Sequence, residues 1–452
     1  MKIKMKKKLP QFPCVIGLGK SGTDLLDFFC SQRIPCVGFE ELSRENFEAA
    51  LNTYASRGAK LFFKDFPKNE VKECDLFLIS PGVPLTRPWL SGGIPVVGEL
   101  EFASRYLDGK ILAVTGTNGK STTVTLLDFI FKNAQCTSSL KGNIGMPLIS
   151  AVNEPPSSFY VVEVSSYQLE TIDTFHPFIA MMLNVTEDHL DRYQTIDEYA
   201  AAKARISMNQ GPGDFFIYNA DDPKCIHMAK KVKSKAIPFS LVNQLPEGGF
   251  VKKNALVIRY KGIEEMYPLN ECSLQGLHNQ ENMLAAVLAA TLAGVNSQSV
   301  RQALKSFTAL KHRLEYVGEF LGMKFYDDSK GTNVGSVVMS LASFEKNIIL
   351  ILGGKDKGGD YAPLASMIKA KVKLLLVLGE AKNKIVSALG SSTKTIKVST
   401  MRDAIQKSFE LGQKGDTVLL SPACSSFDQY KNYAERGTDF SHWVHYYGEG
   451  AS

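Results

Sequence analysis

Short apolar runs recur along the chain, each closing in a Gly-, Ser- or Asn-rich turn, and many of those turns open a segment whose apolar positions fall three and four residues apart. Buried strand alternating with amphipathic helix is how a mostly parallel α/β sheet reads in sequence. Strands are expected at residues 12–17, 34–39, 59–63, 75–79 and 94–97, then from 111, at 159–164, 178–183 and 214–218, and again at 348–352, 374–378 and 417–420. Residues 315–320 and 323–326 read as a hairpin, and residues 195–208 and 221–231 as helices. The polar turn Leu107-Asp108-Gly109-Lys110 and the stretch beginning at Lys311 divide this pattern into thirds. The expected fold is α/β in three domains: a Rossmann-like N-terminal domain (1–108), a central P-loop ATPase-type domain with a mostly parallel sheet (109–310), and a C-terminal Rossmann-like domain (311–452).

A length of 452 residues exceeds what one core usually holds, in keeping with that division. Apolar residues make up 44% and charged residues 22%, ordinary for a globular protein. No apolar run approaches the roughly 18 residues that read as a membrane span. The basic start MKIKMKKK runs into the Pro-broken LPQFPCVIGLG instead of a cleavage site, so it reads as a solvated tail and not an export signal. Eight cysteines (14, 30, 36, 74, 136, 225, 272 and 424) lie apart with no C-x-x-C pair, which suits reduced thiols in a cytoplasm better than a disulfide or zinc framework. A formal charge of +6 is mild: it fits small anionic substrates and gives no support to nucleic-acid binding. A cytoplasmic monomer away from membranes is the expectation.

The chemistry concentrates in residues 111–127, ILAVTGTNGKSTTVTLL, an apolar strand, a tight turn, and Lys-Ser-Thr opening a helix. Backbone N–H groups freed at Gly116, Asn118 and Gly119, with those of the helix start, would form a concave donor surface for oxyanions. Thr117 completes the turn, Lys120 adds a point charge, Ser121 can reach Mg2+, and Thr122 follows it into the helix. The spacing A-x-x-G-x-x-G-K-S-T is a variant phosphate loop, because Val114 stands where the first glycine would fall. ATP or GTP binding is expected.

Gly17, Gly19, Ser21 and Gly22 belong to a dinucleotide-type turn after the first strand, open to NAD, to another nucleoside diphosphate, or to no ligand; Glu40 ends the second strand where an NAD site would place its ribose-binding acid. Ser80 closes the strand at 75–79. Polar clusters follow the strands of the middle third. Gly142-Asn143-Ile144-Gly145 can present an amide from a turn. Glu163 ends a buried run just before Ser165-Ser166-Tyr167-Gln168, where nucleotide enzymes hold Mg2+, the alternative being a structural ion pair. His189, in NVTEDHLDR, is either a ligand or a surface residue. Lys203, in the small-residue helix YAAAKARI, is either solvated or aimed at whatever packs alongside. Asn279 reads as the N-cap of the helix around MLAAVLAATLAG, with Asn282 one turn on, and capping and ligand contact both stay open.

Taken in order, TGTNGKST, GNIG, VVEVSSYQLE, NVTEDHLDRY and the Lys203 helix resemble the ATP-dependent Mur ligase superfamily, whose members join amino acids to the carboxylate of a growing peptidoglycan precursor, or to folate. The resemblance implies that Lys120 holds the β- and γ-phosphates, that Ser121 and Glu163 hold one Mg2+, and that His189 and Lys203 serve a second. It also implies that Lys203 is carbamylated by CO2, which would give it a hard anionic oxygen. It puts Asn279 and Asn282 by the adenine, Arg313 as a clamp on the nucleotide, and Asp328 on ribose hydroxyls.

LSPACSSFDQYKNYAERG resembles the branch that adds D-glutamate to UDP-N-acetylmuramoyl-L-alanine, and the likeness runs from Gly17 to Phe440. It implies that Lys330 and Thr332 meet one carboxylate of D-glutamate and that Lys357, Ser426, Phe427 and Tyr433 meet the other. Gly17, Gly19, Ser21, Ser80, Asn143, Ser165 and Gln168 would contact the UDP substrate. The Asp-Asn-Pro-Arg type of motif expected of a diaminopimelate or lysine adder is missing at the matching place. The implied reaction forms an acyl phosphate from ATP and then an amide, with His189 as metal ligand, substrate contact or base. Phe39-Glu40-Glu41 departs from the Asp-Thr-Arg that some members carry, so the uridine contacts stay open, and Glu40 near a diphosphate would be unfavourable unless turned to a ribose hydroxyl. Three rivals remain: a folate polyglutamylating ligase, opposed by the N-terminal glycine turn; an NAD-dependent dehydrogenase, which leaves the phosphate loop idle; and a nucleotide-switched binding protein, which would bind ATP without releasing phosphate.

Overall fold

Strands buried on both faces need helices over them, and that requirement sets the architecture. The structure is a computed structural model that describes residues 8–43, 53–188, 192–308 and 310–450. Among these the strands form three sheets, of five, nine and six strands.

The first sheet contains β1 (Pro13–Ile16), β2 (Cys36–Glu40), β3 (Ala59–Phe63), β4 (Leu76–Ile79) and β5 (Val96–Gly98), all parallel in the order β3-β2-β1-β4-β5. Winding reverses between β1 and β4, so the crevice at the strands' carboxyl ends opens there. Helix α1 (Lys20–Ser31) buries Leu25, Leu26, Phe28 and Phe29. Its approach to β1 needs glycine: a Cβ on Gly22 would lie 1.9 Å from the Gly17 carbonyl, and Gly17 itself sits at φ +83°.

The central sheet holds β6 (Lys110–Thr115), β7 (Ser138–Gly142), β8 (Phe159–Glu163), β9 (Ile179–Met182), β10 (Phe215–Asn219), β11 (Lys235–Ser240), β12 (Gly248–Lys252), β13 (Ala255–Tyr260) and β14 (Ile263–Pro268). Its order is β14-β13-β12-β11-β10-β9-β6-β8-β7, with β13 and β14 added antiparallel. The apolar pattern did not disclose β7 or β11 to β14. β7 carries one large apolar residue, Leu140, β11 contains Pro238, and much of β14 is exposed, so pairing with a neighbour and not hydropathy makes these three strands, whereas β13 holds the buried run Ala255-Leu256-Val257-Ile258, which the reading of the sequence passed over. Helices α2 (Lys120–Asn133) and α4 (Leu277–Leu292) cover one face, against Leu112, Val114, Ile179 and Met181. Helix α3 (Ile196–Ala204) is shorter than the expected 195–208 and tightens into a 3-10 turn, Arg205–Ser207. The opposite face of the central sheet shares one apolar cluster with Leu25, Phe28 and Phe29 of α1.

The third sheet holds β15 (Glu315–Phe320), β16 (Met323–Asp327), β17 (Ile348–Gly353), β18 (Val372–Leu378), β19 (Thr395–Lys397) and β20 (Thr417–Leu420), ordered β15-β16-β20-β17-β18-β19 with only β15 antiparallel. Helices α5 (Val334–Ala342) and α6 (Tyr433–Glu449) pack on opposite faces through Val337 and Leu341 on one side and Phe440 and Val444 on the other. Neighbouring carboxyl ends of β16, β20 and β17 present three loops to one side. No helix among the described residues is long and apolar enough to cross a membrane, and the eight cysteines are unbridged.

Candidate functional site

β6 lies between β8 and β9, so the loop at residues 116–119 opens at the point where the chain has crossed to both sides of its own strand. Gly116 and Gly119 take φ +146° and +85°, and a Cβ on Gly119 would lie 2.2 Å from Asn282 Oδ1 of α4. Close approach of α4 therefore demands glycine here. The loop is stitched to the segment after β9: Thr117 N donates to Asn184 O (2.9 Å), Asn118 N to Asn184 Oδ1 (2.8 Å), and Thr186 N to Thr117 Oγ1 (3.0 Å). The expectation that Asn118 offers a free backbone donor is thus corrected, because Asn184 has taken it. Donors for an anion remain at the start of α2, whose N-cap Gly119 makes no side-chain cap and whose first turn buries Ser121 and Thr122.

Two lysines meet on one carbonyl. Lys120 Nζ donates to Gly116 O (2.9 Å) and Thr117 O (2.8 Å), while Lys203 Nζ, on α3, donates to the same Gly116 O at 2.9 Å and stands 4.3 Å from the centre of the Tyr199 ring. Lys203 is 1% exposed, so the solvated alternative falls away; the small neighbours Ala200 and Ala202 let α3 pack this closely. Burial lowers both below the usual lysine range, Lys203 well below; the charge of Lys120 adds to the effect on Lys203, while Glu163 and Asp188 oppose the effect on Lys120. Glu163 ends β8 at 3% exposure. Burial works to raise its carboxyl, but Lys120, Asn143 and Ser121 together hold it below the ordinary value. Its Oε1 accepts from Asn143 Nδ2 at 2.8 Å, whereas Oε2 is buried with no hydrogen-bond partner among the described residues. An anionic oxygen left open beside a serine hydroxyl is the hard-donor arrangement Mg2+ takes, so Ser121 and Glu163 fit that ion. His189, expected as a further ligand, lies outside the described residues.

Arg313 is within electrostatic reach of Lys120, Glu163, His278, Asp328 and Lys330, which puts the start of the third sheet against the phosphate loop. Asp328 is pushed up to about 6 by burial, and its Oδ2 accepts from Ser340 Oγ (2.6 Å) and Ser421 Oγ (2.8 Å). Lys330 is pushed down to about 8, chiefly by burial and then by Arg313, with Nζ 3.9 Å from the centre of the Tyr433 ring. Lys357 Nζ stands 3.4 Å from both Asp188 Oδ1 and Thr332 Oγ1. Ser426 is buried, and Phe427 beside it is 68% exposed.

Sequence reasoning missed Arg436, which is 2% exposed at the start of α6. Its guanidinium donates to Ser329 Oγ and Ser329 O (2.9 Å each), Cys424 O (3.1 Å) and Ser425 O (3.2 Å), clamping the loops after β16 and β20. An arginine in a polar helix start looks solvated in sequence, and only the fold buries it.

Elsewhere, several expected contact residues hold their own backbone. Ser80 Oγ donates to Gly17 O (2.6 Å), and Glu40 Oε2 accepts from Leu18 N (2.7 Å), so Glu40 braces the glycine turn. Gly19 stays exposed, and Ser21 lies in the first turn of α1. Ser165 and Gln168 form a reciprocal capping box: Ser165 N donates to Gln168 Oε1 (3.0 Å) and Gln168 N to Ser165 Oγ (3.3 Å). Asn279 is not the N-cap of α4. Gly276, at φ +92°, precedes the helix, and Asn279 inside it donates Nδ2 to Gln275 O at 2.8 Å. Asn282 is buried, with Oδ1 accepting from Thr123 Oγ1 at 3.4 Å.

Residues 114–290 match the family described as Mur ligase middle domain, and residues 312–424 match Mur ligase, glutamate ligase domain. A protein named UDP-N-acetylmuramoylalanine--D-glutamate ligase from Geotalea uraniireducens (strain Rf4) is 45% identical over 97% of this chain and 98% of its own. Another of that name from Geotalea daltonii is 42% identical over 98% and 97%. Among solved structures, MurF from Acinetobacter baumannii superposes with a TM-score of 0.64 at 16% identity, covering 90% of each chain. MurF ligase from Thermotoga maritima in complex with ADP gives 0.63 at 14% identity, covering 92% of this chain and 96% of that one. The structural likenesses establish the shared fold; with two matched family regions and near full-length relatives above 40% identity, the chain belongs to the Mur ligase family.

Proposed function

We propose that this protein uses ATP to join the amine of D-glutamate to the carboxylate of UDP-N-acetylmuramoyl-L-alanine, a step of peptidoglycan precursor synthesis. The observation that carries the reading is the convergence of Lys120, Glu163 and Lys203 at the ends of β6, β8 and α3 with Arg313, Lys330 and Lys357 from the third sheet. The named relatives support the choice of substrates. In this reading the substrate carboxylate attacks the γ-phosphorus, ADP departs, and the acyl phosphate is taken by the amine of D-glutamate through a tetrahedral intermediate that expels phosphate. Such chemistry needs positioning and charge neutralisation more than covalent help.

Lys120 and the α2 N-terminus would hold the phosphates, with Arg313 clamping the nucleotide, Asn279 and Asn282 by the adenine, and Asp328 at the ribose. Ser121 and Glu163 would hold one Mg2+, His189 and Lys203 a second; when bound, the ions supply charge neutralisation. Burial favours the unprotonated Lys203 amine, the nucleophilic form that CO2 captures, and a carbamate would turn its repulsion with Lys120 into attraction. Lys330 and Thr332, with Lys357, Ser426, Phe427 and Tyr433, would grip the two carboxylates of D-glutamate, and the turns at Gly17, Gly19, Ser21, Ser80, Asn143, Ser165 and Gln168 would line the UDP substrate. Residues 1–108, 109–310 and 311–452 serve as UDP-substrate, ATP and amino-acid lobes of a cytoplasmic monomer. The test is a phosphate-release screen of UDP-muramoyl substrates against L- and D-amino acids. Release only with UDP-N-acetylmuramoyl-L-alanine plus D-glutamate supports the reading; release with diaminopimelate, lysine or a folate, or with no pair, overturns it.

A further inference from the structure

The first turn of α5 presses against the phosphate loop. Asn118 Oδ1 accepts from Asn333 Nδ2 (3.1 Å) and Ser336 Oγ (2.8 Å), and Asn118 Nδ2 is 3.4 Å from Asn333 Oδ1. Between them Gly335 comes so close that a Cβ there would lie 3.0 Å from Thr186 Oγ1 and 3.4 Å from Asn118 Nδ2. Asp188, at the end of the segment that stitches the phosphate loop, ties both partners: Oδ2 accepts from Asn333 Nδ2 (3.2 Å) and Oδ1 from Lys357 Nζ (3.4 Å). One carboxylate, 9% exposed in its side chain, thus holds the helix that touches the phosphate loop and the lysine assigned to the amino-acid substrate.

We propose that Asn118, Asn333 and Asp188 form a latch between the phosphate loop and the third sheet, making Asn333 and Asp188 positioning residues that aim Lys357 at the incoming amino acid. This rests on the D-glutamate ligase reading above. The chemistry is reciprocal: two side-chain amides exchange hydrogen bonds, so neither can be changed alone without leaving a polar group facing its like. The anionic amino acid needs a cation fixed in place before it arrives, and Asp188 supplies that order together with Thr332 Oγ1, which takes a second Lys357 donor. Anchoring through Asn118 means that a third sheet swung away from the phosphate loop has Lys357 out of register.

Asn333→Asp separates latch from fold. Asn333 also caps α5, its Oδ1 accepting from Ser336 N at 2.8 Å, and Asp caps as well as Asn. The substitution keeps that cap while turning the donor on Asn118 and Asp188 into an acceptor. Full-length protein, Asn333→Asp, Asn118→Ala and the double variant are assayed for phosphate release, with D-glutamate and ATP varied in turn. Asn333→Asp is expected to raise KM for D-glutamate by about tenfold, the effect of losing one charge-assisted hydrogen bond, with KM for ATP nearly unchanged, and the double variant to be no worse than Asn333→Asp alone. Effects that multiply, or KM values for ATP and D-glutamate rising together, overturn the latch. Amide hydrogen exchange without ligands reads it independently: exchange at residues 116–119 and 334–338 must quicken together in Asn333→Asp, and unchanged exchange overturns the latch. If the unsubstituted protein releases no phosphate, the functional reading alone falls, and exchange still decides the latch.

Discussion

Glu99 offers a sharp test of how the first and central sheets are joined. It is 1% exposed at the start of the helix Glu99–Ser104, with Oε1 accepting from Ile149 N at 2.6 Å across the seam and Oε2 buried with no hydrogen-bond partner among the described residues. Burial is the main cause that pushes its carboxyl up from 4.5 to about 7; the charge of Asp24 adds to it, and the amides of Ile149 and Leu148 oppose it. The folded state therefore holds this proton more tightly than the unfolded chain. Stability from this group is intact below pH about 4.5, falls as pH rises toward about 7, and levels off above that. At about 1.4 kcal/mol per unit, the ionised carboxylate costs about 3 kcal/mol at pH 8. Glu99→Gln keeps the oxygen that accepts from Ile149 and cannot ionise, so its gain over the unsubstituted protein should be under about 1 kcal/mol at pH 5 and about 3 kcal/mol at pH 8. The chain has two tryptophans, and Trp89 stacks on Phe66 at 4.5 Å between ring centres, packed against the first sheet. Urea unfolding followed by Trp89 fluorescence, in a Trp443→Phe background, reads this lobe at both pH values. A gain that is the same at pH 5 and pH 8, or a loss at both, refutes the reasoning.

Lys120→Ala should abolish ATP turnover while calorimetry finds binding of the UDP substrate largely intact; retained turnover removes the phosphate-loop assignment. Gly119→Ala puts a side chain at φ +85° and a Cβ 2.2 Å from Asn282 Oδ1; the left-handed backbone and the displaced asparagine should together lower stability by about 2–4 kcal/mol in urea unfolding, with turnover lost, and an unchanged midpoint counts against the close packing of α4 on the loop. Lys203→Ala should be nearly inactive and partly restored by added short-chain carboxylates, whereas an active variant removes the carbamate.

What local pattern can carry was legible. The Gly116, Gly119, Lys120 and Ser121 spacing marked the phosphate loop because backbone geometry and charge are set within a single turn, and the run IILIL marked β17 because a strand buried on both faces has no polar positions to confuse it. Lys203 was legible as a choice between solvent and a close neighbour, and packing of α3 on Gly116 decided it. Where a polar group's partner lies far along the chain, spacing is silent. Asn184 closes the Asn118 amide from 66 residues away, Glu40 turns back onto Leu18 across 22, and Arg436 reaches Ser329 across 107. Asn279 reads as a cap for the opposite reason: Asn fits that role, but the glycine three residues earlier, able to take φ +92°, starts the helix first. The sequence by itself therefore determined the glycine turns and many of the buried strands, since those follow from neighbouring residues. Which polar side chains are spent on the backbone, and which are left to meet a substrate, was decided only when the sheets came together, because a buried donor or acceptor must find its partner wherever the fold puts one.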